Sequence, residues 1–194
     1  MDEKLKWTPH IHHVENKISK GLGMMGRVRN IMPNNVLLTL YYSLIYPYLT
    51  YCCIIWGAAS SNSLHHLNVL QNRAMRLITR SPFRASATPI FKKFKLLKIV
   101  DIRKMQILLF MYKCKNKLLP NCCLQYCPIS LNHPYSMRCI HYFLQSPYRT
   151  NIREQSVSIL GPRIWDSISV DLQNSASLLS FKFGVSNYLV SLYI

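Results

Sequence analysis

Transfer of nucleotides by two metal ions requires clustered carboxylates, because hard cations such as magnesium take oxygen ligands. This sequence spreads its acids too widely for that. Asp2 and Glu3 adjoin at the N-terminus, Asp101 stands alone, and Glu154, Asp166 and Asp171 are dispersed towards the C-terminus. They read as surface or helix-end charges, and no catalytic residue is assigned. A phosphate-cradling GxxxxGK[ST] loop is absent. Gly21, Gly23 and Gly26 have only the spacing of GxGxxG. They come late in a helical pattern with no strand before it, which argues against a dinucleotide fingerprint.

Thiols and imidazoles offer two further chemistries. Cys123, Cys127, His133 and Cys139 are residue types that zinc prefers, but intervals of three, five and five residues between them match no common finger or knuckle. Free thiols in a loop are the reading, with no metal and no cofactor expected. A Cys–His nucleophilic pair has still less support. The adjacent pairs His12-His13 and His65-His66, with His10 nearby, point to different helix faces and chelate one ion poorly.

Cations are the abundant chemistry. The chain has 24 Lys and Arg against 7 Asp and Glu. Between Asn16 and Arg153 the only acid is Asp101, against 20 basic residues. A field of that sign favours polyanions, of which nucleic acid is the commonest, with a solvated basic surface or an anionic membrane surface as the alternatives. The stretch from Arg73 to Lys117 concentrates 13 basic residues with one acid. Candidate phosphate contacts there are Arg73, Arg76, Arg80, Lys92, Lys93, Lys95, Lys98, Lys104 and Lys115. Such groups gain affinity by releasing counterions condensed on the nucleic acid. Tyr41, Tyr42, Tyr48 and Trp56 are able to stack bases, but in so apolar a segment they read first as core.

The elements that must position these groups are helices. Thr8-Pro9 reads as an N-cap and first helical proline, followed by Ile11, Val14, Ile18, Leu22 and Met25 at helical spacing, with Lys20 and Arg27 opposite. A second helix after Pro33 carries Leu37, Leu40, Tyr41, Leu44 and Ile45 until Pro47 breaks it. Gly57 to Ser63 reads as a loop, and Ser63 as the cap of a helix with Leu67, Leu70, Ala74, Leu77 and Ile78 inward. Arg76 and Arg80 lie opposite that stripe and Arg73 flanks it. Thr88-Pro89 starts a short helix through Phe94. Asp101 reads as the cap of another, with Ile102, Met105, Leu109 and Tyr112 inward and Lys104 and Lys115 exposed.

Beyond Pro120, periodicity fades among prolines and cysteines. Ser156 to Leu160 is predicted to be a short strand before a Gly161-Pro162 turn. A closing helix is predicted from near Ser177, using Phe181, Val185, Tyr188 and Leu192. The fold class is mainly α: a helical bundle over 1–120, a Cys- and Pro-containing linker over 121–150, and a small helical segment over 151–194. Seven cysteines, an odd number, and an N-terminus without an apolar core point to reduced thiols in an intracellular protein, with nucleus and cytoplasm equally open. Val36 to Trp56 is 21 residues without a charge, long enough to span a bilayer. Five tyrosines and Pro47 favour a buried element instead.

Several motifs, in order, carry a family resemblance. They are the opening DEKLKWTPHI of residues 2–11, Lys17-Ile18-Ser19-Lys20, YYSLIYPYLTYCCIIWG from Tyr41 to Gly57, and LQNRAMRLIT from Leu70 to Thr79. Phe110-Met111-Tyr112-Lys113, Leu118-Leu119-Pro120, GPRIWDSI from Gly161 to Ile168 and SLLSFK from Ser177 to Lys182 complete the series. Together they resemble the region downstream of the polymerase core in non-LTR retrotransposon reverse transcriptases, notably jockey-like elements. The resemblance implies a helical, thumb-like part that grips a template–primer duplex of RNA or DNA, followed by a C-terminal region. In the family the palm and its metal-binding aspartates precede this region, so the resemblance carries over no catalytic residue. Magnesium is implied only for an intact parent polymerase. The expectation is a non-catalytic, nucleic-acid-binding fragment. The alternatives are a decayed transposon product without function and a basic membrane-associated protein.

Overall fold

The computed structural model describes residues 6–124 and 142–193. Cys127, His133 and Cys139 lie outside them, as does most of the stretch read as a linker and the motif's start at residues 2–5. The described residues form helices and no strand. None of the helices is long and apolar enough to cross a membrane. The uncharged segment from Val36 to Trp56 instead folds as three short helices, α2 (Asn34–Leu44), α3 (Tyr46–Thr50) and α4 (Cys53–Trp56). Pro47 enters α3 in its first turn, where its missing N–H costs nothing.

The chain clusters into two compact units, Met1–Arg103 with Ser186–Ile194, and Lys104–Val185. In unit 1, α1 (Thr8–Val28) packs on α5 (Ser61–Thr79), and both pack on α2. The predicted stripe of α1 is the observed one: Ile11, Val14, Ile18, Leu22 and Met25 are buried. Gly21 lets the backbones close, since a Cβ there would stand 3.3 Å from the Leu44 carbonyl. Only the N-cap differs from expectation. Trp7, in left-handed conformation, holds it, and Thr8 begins the helix.

Two other starts also shift. The cap of α5 is Ser60, whose Oγ accepts the Ser63 N–H at 3.4 Å, so Ser63 lies inside the helix and the preceding loop is shorter than predicted. Asp101 sits in the first turn of α7 (Ile99–Lys115), not at its cap. Side chains from elsewhere in unit 1 satisfy that helix start. Gln71 accepts the Ile99 N–H at 2.9 Å, and the Tyr193 hydroxyl accepts the Lys98 N–H at 2.9 Å and donates to Asp101 at 2.9 Å. Fully buried, Gln71 also donates to the Tyr41 hydroxyl at 3.0 Å and the Leu97 carbonyl at 2.9 Å.

In unit 2 the predicted strand over Ser156–Leu160 is a helix. Its residues open α10 (Val157–Asp166), which runs through Gly161 and Pro162. The reason is packing: both residues are buried, and a Cβ on Gly161 would meet the Met111 sulfur at 2.6 Å. Trp165 follows on the same helix and is fully buried, 5.7 Å from the rings of Phe143 and Phe181. Tyr112 stacks on Phe181 at 4.5 Å and donates its hydroxyl to the Ser175 carbonyl at 2.8 Å. The closing helix α12 (Leu178–Ser191) buries Phe181 and Val185 as predicted. The stripe then continues at Leu189 and Val190, while Leu192 is exposed. In α7, likewise, Ile107 and Leu108 take the fully buried positions and Leu109 is half-buried. Three single-turn helices, α8 (Asn121–Leu124), α9 (Asn151–Glu154) and α11 (Val170–Gln173), are too short for periodicity to reveal.

Candidate nucleic-acid interface

Among the described residues, those of unit 1 that face solvent are cationic or neutral. Its described carboxylates are Glu15 and Asp101, 8% and 9% exposed. Glu15 is drawn inward by two imidazoles, His12 Nδ1 at 3.0 Å and His66 Nδ1 at 3.1 Å, the latter from α5. Asp101 is held by Tyr193. With both acids turned inward, no exposed carboxylate among the described residues neutralises the surface of unit 1.

The predicted basic residues divide by what their heads do. Arg73, Lys92, Lys93 and Lys95 are exposed. Arg76 is half-buried, donating Nε to the Ala85 carbonyl at 2.8 Å, with its guanidinium 5.8 Å from the Phe83 ring. Arg80 is exposed but braced, donating Nε to the Arg29 carbonyl and Nη2 to the Met32 carbonyl, both at 2.9 Å. It closes α5 in left-handed conformation (φ 54°), as Lys95 closes α6 (Thr88–Phe94, φ 52°). A cation at a helix C-terminus is favoured by the helix dipole. Lys98 reaches the Thr88 hydroxyl at 3.1 Å and lies 4.7 Å above the Tyr193 ring.

Lys104 and Lys115 belong to unit 2. Half-buried Lys115 donates Nζ to the Gln173 carbonyl at 2.9 Å and Asn174 Oδ1 at 2.8 Å, which satisfies the C-terminal end of α11. Burial pushes its pKa down. Lys104 is half-buried. Unit 1 therefore brings Arg73, Arg76 and Arg80 onto one helix and Lys92, Lys93 and Lys95 onto the next, with Lys98 beside Thr88.

Other chemistry is sparse. Among the described residues no three His, Cys, Asp or Glu side chains are grouped to share a metal ion. Cys53 is buried and its thiol is pushed up to about 11 by that burial, against the opposing pull of the Arg103 charge.

No family model matches the chain, and no solved structure matches it. One curated protein shows similarity. The chain is 25% identical over 105 residues, 52% of its length, to the probable RNA-directed DNA polymerase from transposon X-element of Drosophila melanogaster. The chain is thus similar, over part of its length, to a transposon polymerase. It spans 12% of that polymerase's length.

Sequence reasoning missed Gln71, Arg84 and the His12–Glu15–His66 clamp. Arg84 is exposed in the loop between α5 and α6 and was legible as one more unpaired basic residue. Gln71 carried no signal, because a glutamine within a helix reads as surface. The clamp depends on α1 lying against α5, which no local pattern states.

Proposed function

We propose that this chain is a nucleic-acid-binding part of a retrotransposon reverse transcriptase of the non-LTR, jockey-like kind, with a thumb-like role downstream of the polymerase core and no polymerase activity of its own. The carrying observation is the surface of unit 1, where the described carboxylates are buried while Arg73, Arg84, Lys92, Lys93 and Lys95 face solvent. A surface whose described residues present cations without competing anions suits a phosphate backbone, and the similarity to a transposon polymerase gives that backbone a natural source. The partner is then a template–primer duplex, with the upstream palm supplying magnesium and its carboxylates, and the protein works inside the cell.

The experiment is a salt titration of duplex binding. Arg76 and Arg80 hold backbone carbonyls, so the informative variant is Arg73→Gln/Lys92→Gln/Lys93→Gln/Lys95→Gln, which alters exposed heads alone. The log–log salt slope is expected to flatten by roughly 0.9 for each duplex-DNA phosphate that is no longer neutralised, for every sequence alike. An unchanged slope in a folded variant removes this surface from binding. In the same preparation, primer extension with magnesium or manganese is expected to be absent, and template-dependent incorporation overturns the non-catalytic role.

A further inference from the structure

We propose that a cleft between the start of α1 and α3 holds an unpaired base of single-stranded nucleic acid, with the basic stripe that continues along α1 holding the strand's phosphates. This surface is separate from the α5–α6 cations and does not depend on them.

The cleft has a volume of about 550 Å³ and is lined by His10, His13, Val14, Pro47, Tyr48 and Tyr51. That volume falls among the clefts that take small organic groups, roughly 300–1,000 Å³. Most of its lining residues carry rings. Tyr51 is 72% exposed, yet its backbone is fixed, because the Trp56 indole N–H donates to its carbonyl at 2.6 Å. Tyr48 is 36% exposed on the same turn. A folded chain gains by burying such rings, roughly 25 cal/mol per Å² of apolar surface. Two tyrosines displayed on an anchored turn are a platform onto which a flat, apolar face can stack.

His10 lines the cleft as well. Nε2 of His10 is buried and has no hydrogen-bond partner among the described residues. The ring sits 5.7 Å from Trp56 and 6.5 Å from Trp7, held tilted to the first and edge-on to the second. Burial, and then the nearby His13, push its pKa below the ordinary value of 6.5, which favours the neutral ring.

Charge chooses the occupant. His10, His13, Lys17, Lys20 and Arg27 recur at intervals of three, four, three and seven residues along α1. At about 100° per residue they share one face. Lys17, Lys20 and Arg27 are exposed, and the one acid of this helix, Glu15, is turned away against His66 of α5. An aromatic cleft opening onto a line of cations matches a strand whose bases and phosphates are both available. In a duplex the bases are stacked inside and out of reach.

The test uses the full chain, a fluorescein-labelled oligo(U) strand and a blunt duplex, read by anisotropy and by quenching of Trp7 and Trp56 emission. Tyr48→Ala/Tyr51→Ala is expected to weaken oligo(U) binding at least about fivefold and to abolish the quenching, with duplex affinity unchanged. Tyr48→Phe/Tyr51→Phe keeps the rings and is expected to bind as the parent. Lys17→Gln/Lys20→Gln changes only exposed charges, and is expected to flatten the single-strand salt slope by roughly 0.7 per phosphate. The proposal is overturned if the parent does not bind oligo(U), if the alanine pair binds it as the parent does, or if strand and duplex weaken equally. Should the alanine pair not fold, absence of quenching in the parent or an unchanged slope in the lysine pair overturns it instead. Uptake by anionic vesicles without oligo(U) binding assigns the cleft to a membrane surface. The Arg73, Lys92, Lys93 and Lys95 variant separates this site from the proposed duplex surface, since it is expected to lower duplex affinity while leaving oligo(U) quenching intact.

Discussion

The two units treat charge differently. Unit 1 has 15 Lys and Arg against 4 acids, and its described acids, Glu15 and Asp101, are buried in polar contacts. Unit 2 has 9 basic residues against 3 acids, Glu154, Asp166 and Asp171, and none of them is buried. There Glu154 accepts from Tyr148 at 2.9 Å and pairs with Arg163 at 3.3 Å, Asp166 accepts from Gln145 at 2.8 Å, and Lys115 caps a helix end. In unit 2, then, Glu154, Asp166, Arg163 and Lys115 are engaged by the unit's own groups. In unit 1 many cationic heads have no anionic neighbour among the described residues, and that difference, more than the total charge, is what favours an external polyanion. The proposed binding surface is therefore placed on unit 1.

Reversing charge at Arg73, Lys92, Lys93 and Lys95 to Glu places repulsion where phosphates are proposed to sit, and duplex affinity near 0.1 M salt is expected to fall on the order of 100-fold. Reversing the exposed Arg149, Arg153 and Lys182 of unit 2 is expected to cost far less. Equal effects, measured by anisotropy on one duplex, would show that net charge alone drives binding.

A smaller effect tests the polar core of unit 1. Gln71→Leu removes three hydrogen bonds at a fully buried position and strands the Leu97 carbonyl and the Ile99 N–H. At about 1–3 kcal/mol for each stranded group, a destabilisation of roughly 3 kcal/mol is expected in urea denaturation. A change below about 1 kcal/mol would mean that water replaces the amide. Smallest is the matching change in unit 2. Gly161→Ala drives a methyl against the Met111 sulfur, and because methionine is adaptable the expected cost is about 1–2 kcal/mol in the same assay. No change would show that the close approach of Gly161 to Met111 does not set the packing of α10.

The long elements were legible in the sequence because one signal, apolar spacing, ran through many turns. Ile11 to Met25 and Leu67 to Ile78 describe their helices well. Failures gather where the signal was short or shared. Ser156 to Leu160 read as a strand because Gly161-Pro162 looked like a turn, and only the packing against Met111 shows why those residues continue a helix. The candidate cations were legible as residues, not as roles. Arg73 and Arg80 look alike in sequence, yet Arg73 has an exposed head and Arg80 braces the turn after α1.

By itself the sequence determined the helical class and the basic character, because composition and periodicity are properties of the chain alone. Tertiary structure decided which charges face outward. Glu15 and Asp101 are ordinary acids until α5 brings His66, and the residues after α12 bring Tyr193, within hydrogen-bonding reach. His10, Tyr48 and Tyr51 form a cleft only because α1 and α3, some thirty residues apart, fold against each other. Contacts between groups distant in the chain are fixed by packing, and no spacing within a single helix encodes them.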